Sequence, residues 1–477
     1  MLLLINTNTM TPPVAPIGLD YIACFTRKAG INTEILDLCL EKNPEKALQN
    51  FLSKNSPLLV GLSFRNVDDC FWPSAQWFVP HLVETIDKIR ALCDAPLVIG
   101  GVGFSVFAGP IVKITGADFG IRGDGENAVV QLYNQLRQPG GLENINGLIW
   151  RKGDEIISNR PAWPGDLSLP VERTAIDNTN YFSLGGQCGI ETKRGCNRSC
   201  LYCADPVAKG PCLRLRKPEE VADEVLNLLN MGIDVLHICD SEFNLPYEHA
   251  LDVCREFISR HLGKKLRWYT YMSITPFDSQ LAKAMKRAGC AGIDFTTDSA
   301  NPSMLRTYRQ PHHKQDIQSA VNLCRENDIA VMLDLLLGGP GETSFTAADS
   351  IKFFKSLDPD CVGASLGVRI YPDTGMERIV IAQGSPEKNP NIKRKYQGAL
   401  DLLKPTFYIA QSLGERPAEL IRQLIGEDKR FFPPMVEVSA QKREKIDDHN
   451  YNENTLLADA IKKGARGAYW DILRRLR

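Results

Sequence analysis

Three cysteines crowd one short stretch of the chain. Cys196, Cys200 and Cys203 are spaced Cys-x3-Cys-x2-Cys between Lys193 and Asp205. Three thiolates on one loop can ligate three irons of a cubane cluster, because soft sulfur suits iron–sulfur centres. The fourth iron would then lack a protein ligand and could chelate a substrate. A structural zinc ion instead wants four ligands, usually as two pairs. No second Cys-x2-Cys or His-x3-His pair follows, so Cys212 or Cys188 would have to complete a zinc site. The remaining cysteines, of fourteen in all, read as small buried apolar residues of a reducing compartment.

Further chemistry-bearing residues follow the triad in order. His237-Ile-Cys-Asp240-Ser-Glu242-Phe-Asn244 ends one apolar run and Phe295-Thr-Thr-Asp298-Ser299 another. Leu335-Leu-Leu-Gly338-Gly339-Pro340-Gly341-Glu342-Thr343 is a glycine-rich turn, and Arg369-Ile-Tyr371-Pro372-Asp373-Thr374-Gly375 closes the series. Glycines at 338, 339 and 341 let backbone approach a ligand and donate to a carboxylate. Asp298 can accept hydrogen bonds from a diol. Alternatively, Gly338–Gly341 is only a tight turn, and Asp298 or Ser299 only a helix cap. Nearer the N-terminus, Ser63-Phe-Arg65-Asn66-Val-Asp68-Asp69 is unusually polar for a strand end, and Arg65 there has a possible ion-pair partner in Asp68 or Asp69. His312-His313 reads as a solvated loop, since adjacent side chains diverge.

The elements that must position these residues alternate strand-like and helix-like runs. Before residue 137 the strand candidates are 2–6, 33–38, 57–63, 96–99 and 118–121, with a helical spacing over Ile17–Lys28. Apolar strands separated by helices predict a parallel sheet covered on both faces. Such a sheet binds its ligand beyond the carboxyl ends of its strands, where Gly100, Gly101 and Gly103, then Gly123, Gly125 and Glu126, fall. Residues 140–181 read as a hairpin and linker. A second alternating series has strand candidates at 189–193, 235–239, 266–270, 292–296, 330–337 and 363–370, which predicts a partial (β/α)6 barrel. The expected division is 1–139, 140–181, 182–400 and a helical C-terminal cap over 401–477. The fold class is therefore α/β: a doubly wound parallel sheet, a partial barrel and a cap.

Composition narrows the function classes. The 477 residues are 43% hydrophobic and 24% charged, which suits a chain that buries a core rather than a disordered one. A net charge of −1 argues against a global grip on nucleic acid. No stretch is long and apolar enough to span a membrane, and Met1–Ile5 is too short for a signal peptide, so a cytoplasmic location is expected. The basic end, with Lys462, Lys463, Arg466, Arg474, Arg475 and Arg477, reads as cations at a helix C-terminus or as a contact with a phosphorylated or membrane-embedded substrate.

At the triad the chain resembles the radical S-adenosylmethionine superfamily, including the aromatic Tyr202 before the third cysteine. The resemblance implies that Cys196, Cys200 and Cys203 hold a 4Fe-4S cluster. It places Tyr202, Asp240, Glu242, Asn244, Asp298, Ser299, Gly338, Gly339, Pro340 and Gly341 around S-adenosylmethionine: Glu242 at the ammonium end, Asp298 at the ribose. Asp373 departs from the family's Arg-x-Tyr-Pro-Gly-Thr segment. Residues 2–136 resemble the cobalamin-binding domain of the cobalamin-dependent subclass, which implies cobalamin at Ser63, Arg65, Asn66, Gly100, Gly101, Gly103, Gly123, Gly125 and Glu126. None of the seven histidines lies in an Asp-x-His-x-x-Gly turn, so the cobalt is expected to lack a histidine ligand. The Ser63–Asp69 segment has some likeness to the tryptophan 2-methylating branch, where an arginine lies under the metal.

The resemblance implies methyl transfer from methylcobalamin to an unactivated carbon or phosphorus, with S-adenosylmethionine as radical source and as methyl donor to the cobalt. It leaves the catalytic residues beyond the cofactors unassigned, and implies a small-molecule, peptide or lipid substrate and an external flavodoxin- or ferredoxin-type electron donor. The alternatives are a cyclase or rearrangement enzyme, a polar methylase, or a zinc-stabilised binding protein.

Overall fold

The computed structural model describes residues 1–138, 140–163, 165, 167–436 and 450–477. Its N-terminal sheet grows from the apolar run β1 (Leu2–Asn6), every residue of which is buried, as a strand covered on both faces requires. Around it stand β2 (Thr33–Asp37), β3 (Leu59–Ser63), β4 (Leu97–Gly100) and β5 (Phe119–Ile121), all parallel, in the order β2-β1-β3-β4-β5. The chain leaves β1 for β2 on one side and returns to β3 on the other. That reversal opens a crevice beyond the carboxyl ends of β1 and β3. The hairpin of β6 (Leu148–Lys152) and β7 (Glu155–Ser158), expected within the linker region, continues this sheet antiparallel to β5. Leu148, Ile149 and Trp150 are buried, and that burial draws the hairpin onto the sheet edge.

The second sheet is parallel throughout. After β8 (Cys188–Ile190) the chain makes a small ribbon of β9 (Lys193–Arg194) and β10 (Arg214–Leu215). It then runs through β11 (Val235–Ile238), β12 (Arg267–Ser273), β13 (Cys290–Asp298), β14 (Ala330–Leu337) and β15 (Cys361–Leu366). The strand order β15-β14-β13-β12-β11-β8 is that of an open barrel, with helices on its outer face. The helix Pro218–Asn230 shows why these residues form one: proline opens it, Glu219 and Glu220 face the positive end of its dipole, and Val221, Val225 and Leu228 are buried.

Among the described residues after 400, the α-helices Pro417–Ile425, Thr455–Lys462 and Tyr469–Arg474 are joined by loops and short strands. β16 (Val368–Arg369), β17 (Ile392–Arg394) and β18 (Thr406–Tyr408) make a small antiparallel sheet, and β19 (Phe431–Phe432) pairs with β15. The helices Thr455–Lys462 and Tyr469–Arg474 plug the barrel from below. Leu457, Ile461, Trp470 and Leu473 pack on Val235, Tyr269, Met332 and Cys361 of its inner wall. Tyr269 donates from its hydroxyl to Asp471 at 2.7 Å. The basic end is tied down by contacts within the chain: Arg474 and Arg475 pair with Asp471, and Arg477 lies 3.9 Å over the Phe432 ring. Among the described residues no helix is long and apolar enough to cross a membrane.

Two polar welds join the sheets. Arg173 bonds Asp20 at 2.7 Å and Glu224 at 2.8 Å, while Glu224 also takes the Tyr21 hydroxyl and Arg216, with all these side chains buried. On another side, Asp68 pairs with Arg369 at 2.9 Å. Asn450 donates to Asp69, and Asn452 bonds Gln76 and the Thr11 amide, so the 450–454 segment straps the first domain to the barrel.

Candidate active site at the barrel mouth

The loop between β9 and β10 carries the triad to the carboxyl ends of the barrel strands. It is pinned by backbone: Cys196 N donates to Gly210 O at 3.0 Å, Leu201 N to Tyr308 O at 3.1 Å, and Met376 N to Leu201 O at 2.9 Å. Cys196 is buried; Cys200 and Cys203 are half-buried. Burial pushes the Cys200 thiol up to about 12, with the charges of Asp298 and Glu242 adding to it. Triad, Glu242 and Asp298 thus share one pocket. Among the described residues no three His, Cys, Asp or Glu side chains converge on a single ion. The two cysteines that could complete a zinc site do not serve: Cys188 donates to Asn178 within the Arg173 weld, and Cys212 is exposed. Three thiols spread around a pocket fit a cubane cluster, whose irons each take one.

Asp298 closes β13 in a left-handed backbone conformation, φ 56°, and is buried. Both its oxygens are engaged, by the Tyr202 hydroxyl at 2.8 and 2.9 Å and by Gln310 Nε2 at 2.5 Å. Burial raises its carboxyl to about 6, and these two donors oppose the rise. A carboxylate has about four acceptor sites, so a ribose diol can still be held there. Tyr202 therefore positions Asp298. Gln310 sits between Asp298 and Cys200, 3.6 Å from the sulfur; no motif singles it out in the sequence.

Glu242 has one buried oxygen, Oε2, without a partner. Burial pushes its carboxyl up to about 8, while Thr296 hydrogen-bonds it. An orphaned acid at the mouth fits the ammonium end of an amino-acid-like ligand. Asp240 and Asn244 are placed otherwise. Asp240 accepts from the Thr192 amide and hydroxyl at 2.8 and 2.5 Å and from Lys193 Nζ at 2.8 Å. Asn244 spends its amide on Ser273 O, Pro276 O and the Ser273 amide. Both brace strand ends, and their polar atoms are used up within the protein. Ser299 likewise pairs with Ser350 at 2.9 Å and accepts from the Asn301 amide.

The glycine-rich turn lies against Tyr308. A Cβ at Gly339 would strike the Tyr308 hydroxyl, which accepts from Gly339 N at 3.1 Å. Gly338 and Gly339 are buried, Pro340 is half-buried and Gly341 exposed. His312, expected in a solvated loop, is fully buried and bonds Thr297 O at 3.2 Å. It supports β13 just below Asp298.

At the N-terminal sheet, a small cavity of about 20 Å³ at the β1–β3 crevice is lined by Thr7, Asn8, Thr9, Phe64, Arg65 and Asn66 among others. Asn8 Nδ2 is buried there without a partner, an orphan donor that a polar ligand such as a corrin amide could take. Ser63 O accepts from Thr7 at 2.8 Å. Gly101, with φ 108°, lies so close to Phe64 O that a Cβ would come within 2.6 Å, and Gly103 N donates to Arg65 O at 2.8 Å. These glycines, following Gly100 at the end of β4, hold the Phe64–Asn66 loop in place. Gly123, Gly125 and Glu126 sit apart from this crevice. Glu126 pairs with Arg194 at 2.9 Å, and Gly123 packs under Trp163, so that turn joins the first domain to the strand before the triad.

Arg65 does not pair with Asp68 or Asp69, which are taken by Arg369 and by the Ser74, Gln76 and Asn450 contacts. It is exposed, and its guanidinium lies 3.5 Å from the Met10 sulfur. Burial pushes the Cys239 thiol up to about 12, and Arg65 is among the charges that pull it back. Arg65 acts likewise on Tyr271 and Tyr469. The Glu126–Arg194 and Asp68–Arg369 pairs set this edge of the first sheet against the barrel.

Comparison with known proteins agrees with both halves. Residues 4–133 match the B12 binding domain and residues 190–354 the radical SAM superfamily. Tryptophan 2-C-methyltransferase of Streptomyces laurentii is 28% identical over 98% of this chain and 94% of its own. Cytidylyl-2-hydroxyethylphosphonate methyltransferase of Streptomyces wedmorensis is 23% identical over 90% of this chain and 89% of its own. The structure of the radical S-adenosylmethionine methyltransferase TsrM from Kitasatospora setae, with tryptophan and an S-adenosylmethionine analogue bound, superposes with a TM-score of 0.91 and 29% identity, covering 99% of this chain and 97% of that one. The same enzyme with cobalamin and a 4Fe-4S cluster bound gives 0.89.

Proposed function

We propose that this chain, a radical S-adenosylmethionine enzyme with an N-terminal B12-binding domain, transfers a methyl group to an unactivated carbon of a small molecule, with tryptophan the first substrate to test. One observation carries the reading: Asp124 and Glu126 of the cobalamin-type domain pair with Arg214 and Arg194 on either side of the triad loop, and Asp68, beyond β3, pairs with Arg369, which sets the two halves against each other. Methyl transfer needs those two halves face to face, since the donor and the acceptor must meet over a few ångströms. When bound, the cobalamin supplies the methyl group, and the cluster with S-adenosylmethionine supplies radical chemistry and cobalt remethylation.

The chain's own share is holding and shielding. Cys196, Cys200 and Cys203 would ligate the cluster, Glu242 would receive the ammonium of S-adenosylmethionine, and Asp298, aligned by Tyr202 and Gln310, the ribose. Gly338–Gly341 would approach that ligand by backbone. The crevice of Thr7, Asn8, Arg65 and Asn66, with Ser63 at the end of β3 and His81 also on its lining, would hold the corrin, and the Arg65 cation there would disfavour a further electrophilic centre. The plug of Trp470 and Leu473 excludes water from below. We infer also a cytoplasmic setting and a flavodoxin- or ferredoxin-type electron donor, with no nucleic-acid partner.

A metal count on anaerobically prepared protein tests the cofactor reading: about four irons per chain and bound cobalt are expected. Zinc in place of iron would overturn it.

A further inference from the structure

Gln310 belongs to no motif, yet backbone contacts seat it directly on the triad loop. The helix Pro302–Tyr308 ends at Arg309 in a left-handed conformation, φ 63°. That turn is docked on the two residues that flank Cys200: Leu201 N donates to Tyr308 O at 3.1 Å, and Arg309 Nη1 to Ser199 O at 3.4 Å. Gln310 follows at once, and its own amide donates to Leu305 O at 2.8 Å. The backbone at 308–310 is therefore fixed relative to Cys200 on both sides.

From there Gln310 Nε2 lies 2.5 Å from Asp298 Oδ2 and 3.6 Å from Cys200 Sγ. Chemistry decides which end of the amide faces them. A carboxylate only accepts, and a cysteine sulfur bound to iron has no hydrogen to give, so both neighbours call for the nitrogen end. The amide group has two hydrogens, one for each. A hydrogen bond to a ligating sulfur stabilises the negative charge that an iron–sulfur cluster takes up on reduction, and so raises its potential. The same nitrogen aligns the carboxylate facing the ribose, so one neutral donor serves two sites.

We propose that Gln310 is a positioning residue for the cluster as well as for Asp298: its amide nitrogen donates to the Cys200 sulfur and sets the cluster's reduction potential higher than the three cysteines alone would. The assignment rests on the cluster reading and deepens it, since it names a residue outside the ligand set that decides how readily the cluster accepts an electron. Such partners beyond the ligands tune a metal centre without touching the metal.

Spectroelectrochemical titration of the anaerobic holoenzyme tests it, on wild type, Gln310→Met and Tyr202→Phe, each with its iron counted. Gln310→Met keeps the length of the side chain and removes both hydrogens. At the same applied potential it should hold about tenfold less reduced cluster than the wild type, a fall of about 59 mV for one electron. It should also bind S-adenosylmethionine roughly tenfold more weakly. Tyr202→Phe, which removes the other donor to Asp298, should weaken that binding and leave the potential where it is. A second reading needs no variant: wild-type protein made with glutamine carrying heavy nitrogen in its side-chain amide should show coupling of that nitrogen to the reduced cluster in pulsed electron paramagnetic resonance. An unchanged potential in loaded Gln310→Met, an equal fall in Tyr202→Phe, or no such coupling in the wild type would overturn the assignment. The cluster reading fails separately, if the wild type itself carries zinc in place of iron.

Discussion

At the scale of single residues, the account depends on which side chains are free and which are used. The triad was legible from spacing alone, because ligand geometry on a short loop is local. Cys200→Ala should abolish the cluster and Cys212→Ala leave about four irons in place, read by iron and sulfide content; the reverse pattern would point to another ligand set. Glu242 and Asp298 remain the side chains open to a ligand, whereas Asp240 and Asn244 have their polar atoms filled by Thr192, Lys193 and Ser273. Glu242→Gln and Asp298→Asn should each weaken S-adenosylmethionine binding by roughly 10- to 100-fold, the cost of one hydrogen bond to a charged group, while Asp240→Asn should act through thermal stability instead. Equilibrium binding and melting of the three variants separate these outcomes. Gln310 could not be found from sequence, since it meets Asp298 only after the chain turns back through Tyr308. Arg65 is tested by electron paramagnetic resonance of the cob(II)alamin form. No nitrogen splitting from a protein ligand is expected, and a splitting that vanished in a His→Ala variant would show a histidine ligand and contradict the reading.

At the scale of elements, the welds between sheets carry stability that depends on charge. Removing the Glu224 carboxylate, buried among Arg173, Arg216 and Tyr21, leaves Arg216 without a carboxylate and Arg173 with Asp20 alone. Glu224→Gln should cost about 3–5 kcal/mol by chemical denaturation, as expected when one member of a buried ion network is lost. At Asp240 and Glu126 burial works against ionisation, but Lys193 and Arg194 outweigh it and hold both carboxyls below their ordinary values. Such depressed groups stabilise the fold above the unfolded carboxylate pKa, about 4, and that stability is lost as pH falls through the lower folded values. Melting temperature should therefore drop below about pH 4, and less steeply in Glu126→Gln. The strands and most helices were readable because apolar runs and 3.6-residue spacing are local signals. The hairpin's place on the first sheet, the strap at 450–454 and the barrel plug were not, because each is fixed by contacts with distant parts of the chain. Trp470→Ala should open the barrel floor and cost about 3–5 kcal/mol, typical of truncating a buried tryptophan.

At the scale of the whole molecule, the two sheets are held together by the Glu126–Arg194 and Asp68–Arg369 pairs, so that a methyl donor held by the first would lie within reach of a cluster held by the second. Composition and the order of motifs made this pairing of domains legible; the Asp68–Arg369 and Glu126–Arg194 pairs that join them were not, since no sequence rule ties residues so far apart in the chain. The arrangement predicts that neither domain alone transfers methyl and that both cofactors are needed in one chain. The most direct test is anaerobic turnover of the reconstituted enzyme with tryptophan, methylcobalamin and S-adenosylmethionine carrying a trideuterated methyl group, followed by mass spectrometry. The account predicts S-adenosylhomocysteine together with a carbon-methylated product that acquires the deuterated methyl over successive turnovers, lost when either cobalamin or the cluster is withheld. Methyl transfer that persisted without cobalamin, or a loaded enzyme that formed no S-adenosylhomocysteine with tryptophan or any related small molecule tested, would contradict it.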